Sequence, residues 1–437
     1  MVWWLTLIVF LGGLVLLLLL GLPVVFAFFA INVVGSYIYL GGHAGEIQFV
    51  RNAVDAVTTF TLTPIPLFLL MGEVLFHTGV AQRAIDAVDR LIARVPGRLS
   101  LVAVTGGTIF ASLSGSTVAN TALLGSTLMP EMRRRGYDPL IAMGPILGTG
   151  GIAMLIPPSA LAVLLASLGN ISVADLLIAG VFPGILMATL FFSYVVIRCT
   201  MNPNLAPAYA IKDMGWRERI RPFLVYVVPL FAIFIIVVGS ILAGIASPTE
   251  SAALGSVASV LAAAAYRSLR WPDLKKALVE TAKISVMILF IICASITFSQ
   301  ILSFSGATDG LLREVKALNL PPTALVIAML LILLFLGCFM DQVSMMMITL
   351  PFFIPLAQIA HIDLVWFGVL MLILLEIGFT TPPFGLLLFV MKGVAPPDTT
   401  MRQIYLAAAP FIALELTTVA ILFVAPKIAT WLPGFLH

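Results

Sequence analysis

Two proline pairs carry the first chemical signal. In Ile156-Pro157-Pro158-Ser159 and in Thr380-Thr381-Pro382-Pro383 a pair interrupts an otherwise apolar run. Proline deletes a backbone hydrogen bond and clashes with the preceding turn, so a helix through either stretch must open and release carbonyl oxygens. Free carbonyls beside hydroxyls are the ligands a hard cation such as Na⁺ prefers. Ser112, Ser114, Ser116, Thr117 and Asn120, with the break at Gly148, Gly150, Gly151, Ala153 and Pro158, supply one candidate cage. Asp341, with Gly378, Thr380 and Thr381, supplies a second. A carboxylate in the middle of an apolar span costs about 2.5 to 3.5 kcal/mol on insertion scales and usually meets an ion or a polar pathway. The same small and hydroxyl residues would also let membrane helices pack closely.

The elements that hold these residues follow from composition. Of 437 residues 61% are apolar and only 10% charged, which excludes a water-soluble fold. The apolar residues fall in runs near the length that takes an α-helix across hydrocarbon, about 17 to 25 residues. Spans are predicted over 3–20, 22–40, 60–76, 139–169, 172–198, 223–246, 248–266, 284–304, 364–395 and 403–425. The first run lacks a basic start and continues through Gly21-Leu22-Pro23 into another, so it reads as a retained span rather than a signal peptide. Alternating segments of a transmembrane barrel are absent. The predicted fold class is an all-α polytopic membrane protein.

Two further runs, Leu99 to Met129 and Thr323 to Ala360, are interrupted at Ser112–Thr117 and Gly337–Ser344 and are predicted to be re-entrant hairpins. The basic residues test this topology. Arg83, Arg90, Arg94, Arg98, Arg133 to Arg135, Arg198, Lys212, Arg217, Arg219, Arg221, Arg267, Arg270, Lys275, Lys276, Lys283, Lys392 and Arg402 fall on one side. Only Arg51, Arg313, Lys316 and Lys427 fall on the other, so the crowded side is assigned to the cytoplasm and both termini to the periplasm or exterior. The hairpins then enter from opposite faces. An offset of 225 residues relates Pro130 to Pro355, Ser116 to Asp341, and the two Pro-Pro pairs. Inverted repeats with broken helices at the midplane point to the binding site of a secondary transporter.

Other chemistry is thin. No nucleophile with its base, phosphate-binding glycine loop or zinc spacing occurs, so ATP-driven movement and nucleic-acid binding are not supported. Cys199, Cys293 and Cys338 read as packing residues, His43, His77 and His361 as interface residues, and Glu73, Glu250, Glu376 and Glu415 as interfacial or internally paired acids. Val80 to Arg94 reads as an amphipathic interfacial helix or as an ordinary basic loop.

The run Phe110-Ala-Ser-Leu-Ser-Gly-Ser-Thr-Val-Ala-Asn120, then Pro130-Glu131-Met132, Gly136-Tyr137-Asp138, Gly150-Gly151 and Ile156-Pro157-Pro158-Ser159, resembles the large membrane subunit of tripartite ATP-independent periplasmic (TRAP) transporters. Gly337-Cys-Phe-Met-Asp341 and Thr381-Pro382-Pro383-Phe-Gly385 match its second half, so the resemblance spans essentially the whole chain. It implies sodium-coupled import of a small organic anion, carboxylate or sulfonate, in the bacterial inner membrane. The partners implied are a small membrane subunit and a soluble periplasmic binding protein. No segment for a fused small subunit precedes the first span, so a separate one is expected. The resemblance also implies an elevator, with scaffold segments 1–98 and 199–322 and transport repeats 99–198 and 323–437. One sodium site would use Ser114, Thr117, Ala153, Ile156 and Pro158, and another Asp341 and Thr381. Solute would lie between the hairpin tips, near Ser112, Ser116, Asn120, Gly150, Thr380 and Pro382. The alternatives are a stand-alone divalent-anion symporter and a membrane assembly protein without transport.

Overall fold

The computed structural model describes residues 2–92, 95, 97–207, 215–383 and 385–435. Arg94 and Lys212 of the basic inventory, and Phe384 in the second motif, lie outside the described residues. Every regular element among the described residues is helical. The first set comprises α1 (Trp3–Leu19), α2 (Val24–Tyr39), α3 (His43–Thr58), α4 (Pro64–His77) and α5 (Val80–Leu91). Next come α6 (Arg98–Ser114), α7 (Thr117–Arg134), α8 (Pro139–Leu155), α9 (Ala160–Leu168), α10 (Val173–Ala179) and α11 (Val181–Met201). The central set is α12 (Trp216–Pro222), α13 (Val228–Leu242), α14 (Pro248–Ala265), α15 (Trp271–Phe304) and α16 (Ala307–Ala317). The last is α17 (Pro322–Gly337), α18 (Gln342–Ile359), α19 (Leu364–Thr380), α20 (Leu386–Val394), α21 (Met401–Val424) and α22 (Lys427–Thr430).

Among the described residues six helical runs are long and apolar enough to cross a membrane, and a seventh if α8 and α9, bent by 46° at their break, count as one span. The shorter apolar helices α1, α2, α6, α17 and α19 fill out the bundle. Packing gathers α2, α3, α4, α13, α14 and α15 into one group, and α6, α7, α8, α11 and α17 to α21 into another. Helix starts follow local chemistry. Proline opens α4, α8, α14, α15 and α17, where its missing N–H has no intrahelical partner to lose. Asp138 and Asp363, themselves 225 residues apart, cap α8 and α19 by accepting from Leu140 N (2.8 Å) and from Val365 N (2.8 Å) and Trp366 N (2.9 Å).

The structure differs from the sequence-based expectation in three places. First, α3 and α16 are helices where only connections were expected; each is too polar to register as a span. Second, α15 is 34 residues long and begins well before residue 284, because Lys275, Lys276 and Lys283 ride on its leading turns instead of ending it. Third, the hairpin limbs run 17, 18, 16 and 18 residues, somewhat longer than the apolar stretches suggested, since α7 carries Glu131 and its arginines as helical residues. Of the two readings of Val80 to Arg94, the helical one describes α5, whose residues Ala81, Ala84, Ile85 and Val88 are buried.

Candidate functional site

The first tip is a two-residue turn. Gly115, at φ 55°, terminates α6, and Ser116 accepts Ala119 N (3.2 Å) to start α7. A left-handed residue is cheap only for glycine, and a methyl placed on Gly115 would lie 2.5 Å from the Pro158 carbonyl oxygen. The tip therefore rests on the break between α8 and α9, which contains the cis Pro157–Pro158 bond. The tip between Ser114 and Thr117 thus meets Pro158 through Gly115. The carbonyls of Ser114, Ile156 and Pro158 receive no hydrogen bond from the described residues. Carbonyl oxygens left without donors are the ligand type a hard cation takes.

The second tip repeats the design with different side chains. Asp341 caps α18, its Oδ1 accepting Val343 N (3.0 Å) and Ser344 N (3.2 Å) and its Oδ2 accepting Ser344 Oγ. Gly337 and Gly378 bring α17 and α19 into backbone contact, a methyl on Gly337 falling 2.4 Å from Gly378 Cα. The break after α19 holds the cis Pro382–Pro383 bond. Asp341, Ser344, Met340, Phe379 and Leu386 line a cavity of about 210 Å³ that the α1–α2 turn, Leu18 to Val24, closes from the other packing group.

The remaining candidates are placed as follows. Thr117 Oγ1 lies 3.2 Å from Gly150 O and 3.3 Å from Glu376 Oε2, so it already links α7 to α8 and α19. Asn120 Nδ2 donates to Thr149 O (3.0 Å), and its Oδ1 is buried without a partner among the described residues. Ser112, Thr380 and Thr381 donate back into their own helices, to Ile109 O (2.8 Å), Ile377 O (3.1 Å) and Ile377 O (2.5 Å). Ala153 is buried on α8 and Ile156 is its C-cap, its side chain against Gly184.

Glu376 is the residue that sequence reasoning set aside. It is 1% exposed, and its Oε2 accepts Gln342 Nε2 (2.7 Å) from the first turn of α18 as well as Thr117 from the first turn of α7. One carboxylate thus ties the starts of both hairpin second limbs to α19. Glu376 Oε1 and both oxygens of the equally buried Glu415 have no hydrogen-bond partner among the described residues, and a methyl on Gly151 would lie 2.7 Å from Glu415 Oε1 and 2.9 Å from Glu376 Cγ. The available signal was the repeat offset, which places Glu376 opposite Gly151.

Helical hairpins and proline-broken helices packed around buried polar groups in a multi-span bundle define a membrane transporter. Comparison with known proteins is specific. Residues 11–428 match the family "Tripartite ATP-independent periplasmic transporter, DctM component", and the chain belongs to that family as a TRAP large membrane subunit, a transporter and not an enzyme. The C4-dicarboxylate TRAP transporter large permease protein of Pseudomonas aeruginosa is 33% identical over 382 residues, 86% of this chain and 87% of that protein. The ectoine TRAP transporter large permease protein of Halomonas elongata is 28% identical over 95% of this chain and 96% of its own. Among solved structures, the Alcanivorax borkumensis YdaH transporter shares the fold at a TM-score of 0.61 and 15% identity, covering 91% of this chain and 90% of that one. Neisseria gonorrhoeae MtrF does so at 0.57 and 17%, covering 87% and 84%.

Proposed function

We propose that this chain imports a small organic anion of the carboxylate or sulfonate class across the bacterial inner membrane, driven by two or more Na⁺ and delivered by a periplasmic binding protein. A separate small membrane subunit completes the assembly, and both termini face the periplasm. The convergence of the two hairpins on Glu376 carries the reading. It sets the N-termini of α7 and α18, positive ends of two helix dipoles, at the tips, and such ends favour an anion. The donor-poor carbonyls beside Ser114, Thr117, Ala153, Ile156 and Pro158 would hold one Na⁺, and Asp341 with Thr381 another. Bound cations would offset the anion's charge, and in a site that binds both, the ion gradient drives the solute. The group α6 to α11 with α17 to α22 would move as an elevator against the remainder, hinged through α5. The relatives named for C4-dicarboxylates and ectoine support a small solute.

Proteoliposomes holding this chain, its small subunit and the binding protein should accumulate labelled C4-dicarboxylate, ectoine or a sulfonate only under an inward Na⁺ gradient. Undiminished uptake after replacing Na⁺ with K⁺ would reject the coupling. Uptake by this chain alone would reject the need for partners.

A further inference from the structure

On α5, α12 and the turn that joins α12 to α13, side chains line a cavity of about 440 Å³, within the range of small-molecule sites. Arg83, Asp86 and Arg90 reach it from α5, Arg221 from α12, and Tyr226 from the π-helical turn Phe223–Val227. The placement follows from the sequence of α5. Its apolar positions Ala84, Ile85 and Val88 are buried, so the residues at 83, 86 and 90 turn to the opposite face. Arg83 donates to the Tyr266 carbonyl (3.2 Å) and lies 5.9 Å from the centroid of the Tyr226 ring. Asp86 Oδ1 accepts from Gln82 (3.2 Å). Arg90 and Arg221 make no hydrogen bond or ion pair with the described residues. Three guanidinium groups and one carboxylate therefore share one hollow with a surplus of two positive charges, and like charges brought together without a counterion repel.

We propose that this cavity binds the phosphodiester headgroup of an acidic phospholipid, with Arg83, Arg90 and Arg221 as the cationic cradle. Guanidinium matches phosphate oxygens in a planar fork, the geometry that makes arginine a strong phosphate ligand. What distinguishes a lipid from a soluble phosphate is the surface that continues from the hollow. Leu224 and Val225 of the π-helical turn, then Val228, Phe231 and Ile235 of α13, are all exposed and all apolar, as a track for an acyl chain. Trp216, 75% exposed on α12, marks the level at which aromatic residues meet headgroups. The π-helical turn widens the helix at the point where Tyr226 enters the cavity, a feature frequent at functional sites. A bound headgroup would bridge α5 to α12 across what is otherwise a contact between like charges, and so fix the helix that leads into α6. The proposal does not rest on the transport reading.

The test is native mass spectrometry of the delipidated full-length protein in detergent, titrated with phosphatidylglycerol, phosphatidylcholine and soluble glycerol 3-phosphate. The intact protein should retain phosphatidylglycerol in preference to phosphatidylcholine. The R90Q/R221Q double variant should bind phosphatidylglycerol roughly 30-fold more weakly, from the usual worth of two basic residues at an anionic surface. Asp86→Asn should tighten it roughly fivefold on the same scale, a gain that misfolding cannot produce. Equal retention of the two lipids, or unchanged binding in these variants, would overturn the assignment. So would glycerol 3-phosphate binding as tightly as phosphatidylglycerol, which would mark a soluble anion as the occupant.

Discussion

The tie between the two hairpins can be broken from one side. Gln342→Leu keeps the bulk of the side chain and removes the N–H that Glu376 Oε2 accepts at 2.7 Å. Leaving a buried acceptor short of its donor costs about 1 to 3 kcal/mol, and here the oxygen keeps only the longer Thr117 contact at 3.3 Å. Taking about 2 kcal/mol, local opening of the second tip should become roughly 30-fold more frequent. Hydrogen exchange read by mass spectrometry reports this local opening without global unfolding. Amides of Val343 to Met346 should lose protection by roughly that factor, while those of α14, packed in the other group, should not change. In a Glu376→Met background the same substitution should cost much less, because the buried acceptor it would leave unsatisfied is already absent. Protection that falls less than about threefold in the single variant, or equally in both backgrounds, would refute the reasoning that Glu376 holds the tip through Gln342.

Three further outcomes follow from the same geometry. Asp341→Asn should keep the α18 cap, since asparagine caps as well as aspartate, yet weaken the sodium dependence of uptake; Asp341→Ala should in addition lower stability by about 1 kcal/mol, seen as a lower melting temperature. A sodium titration unchanged in Asp341→Asn would remove this residue from the ion site. Gly337→Ala should destabilise by about 1 to 3 kcal/mol or more, because the new methyl meets the Gly378 backbone at 2.4 Å and backbone cannot rotate away; fluorescence-detected size exclusion after heating would show it. Gly72→Ala places a methyl 2.5 Å from the Ser114 carbonyl, at the contact between α4 and the first tip, and should cut uptake more than it cuts expression.

Much of this protein was legible before folding. Hydropathy located the spans because lipid demands long apolar helices, and the Pro-Pro pairs announced the breaks because two adjacent prolines remove two helical hydrogen bonds at one point, whereas single prolines such as Pro130 and Pro355 are carried inside α7 and α18. Ser116 and Asp341, found at one offset, sit at equivalent places as N-caps of α7 and α18. The amphipathic α3 and α16 escaped because hydropathy reads only the average over a window, and a helix with one polar and one apolar face averages to neither extreme. Tertiary structure alone decided what Glu376 does. Its partners are 259 residues away at Thr117 and 34 away at Gln342, and no local pattern encodes which side chains will meet a carboxylate after three helices converge. The same holds for the arginine-lined hollow beside α5: each guanidinium was visible as a charge of the basic side, but their sharing of one cavity depends on how α12 packs against α5. Membership of a helix is a short-range property of the chain, whereas a neighbour across the bundle is fixed only by the packing of all of it.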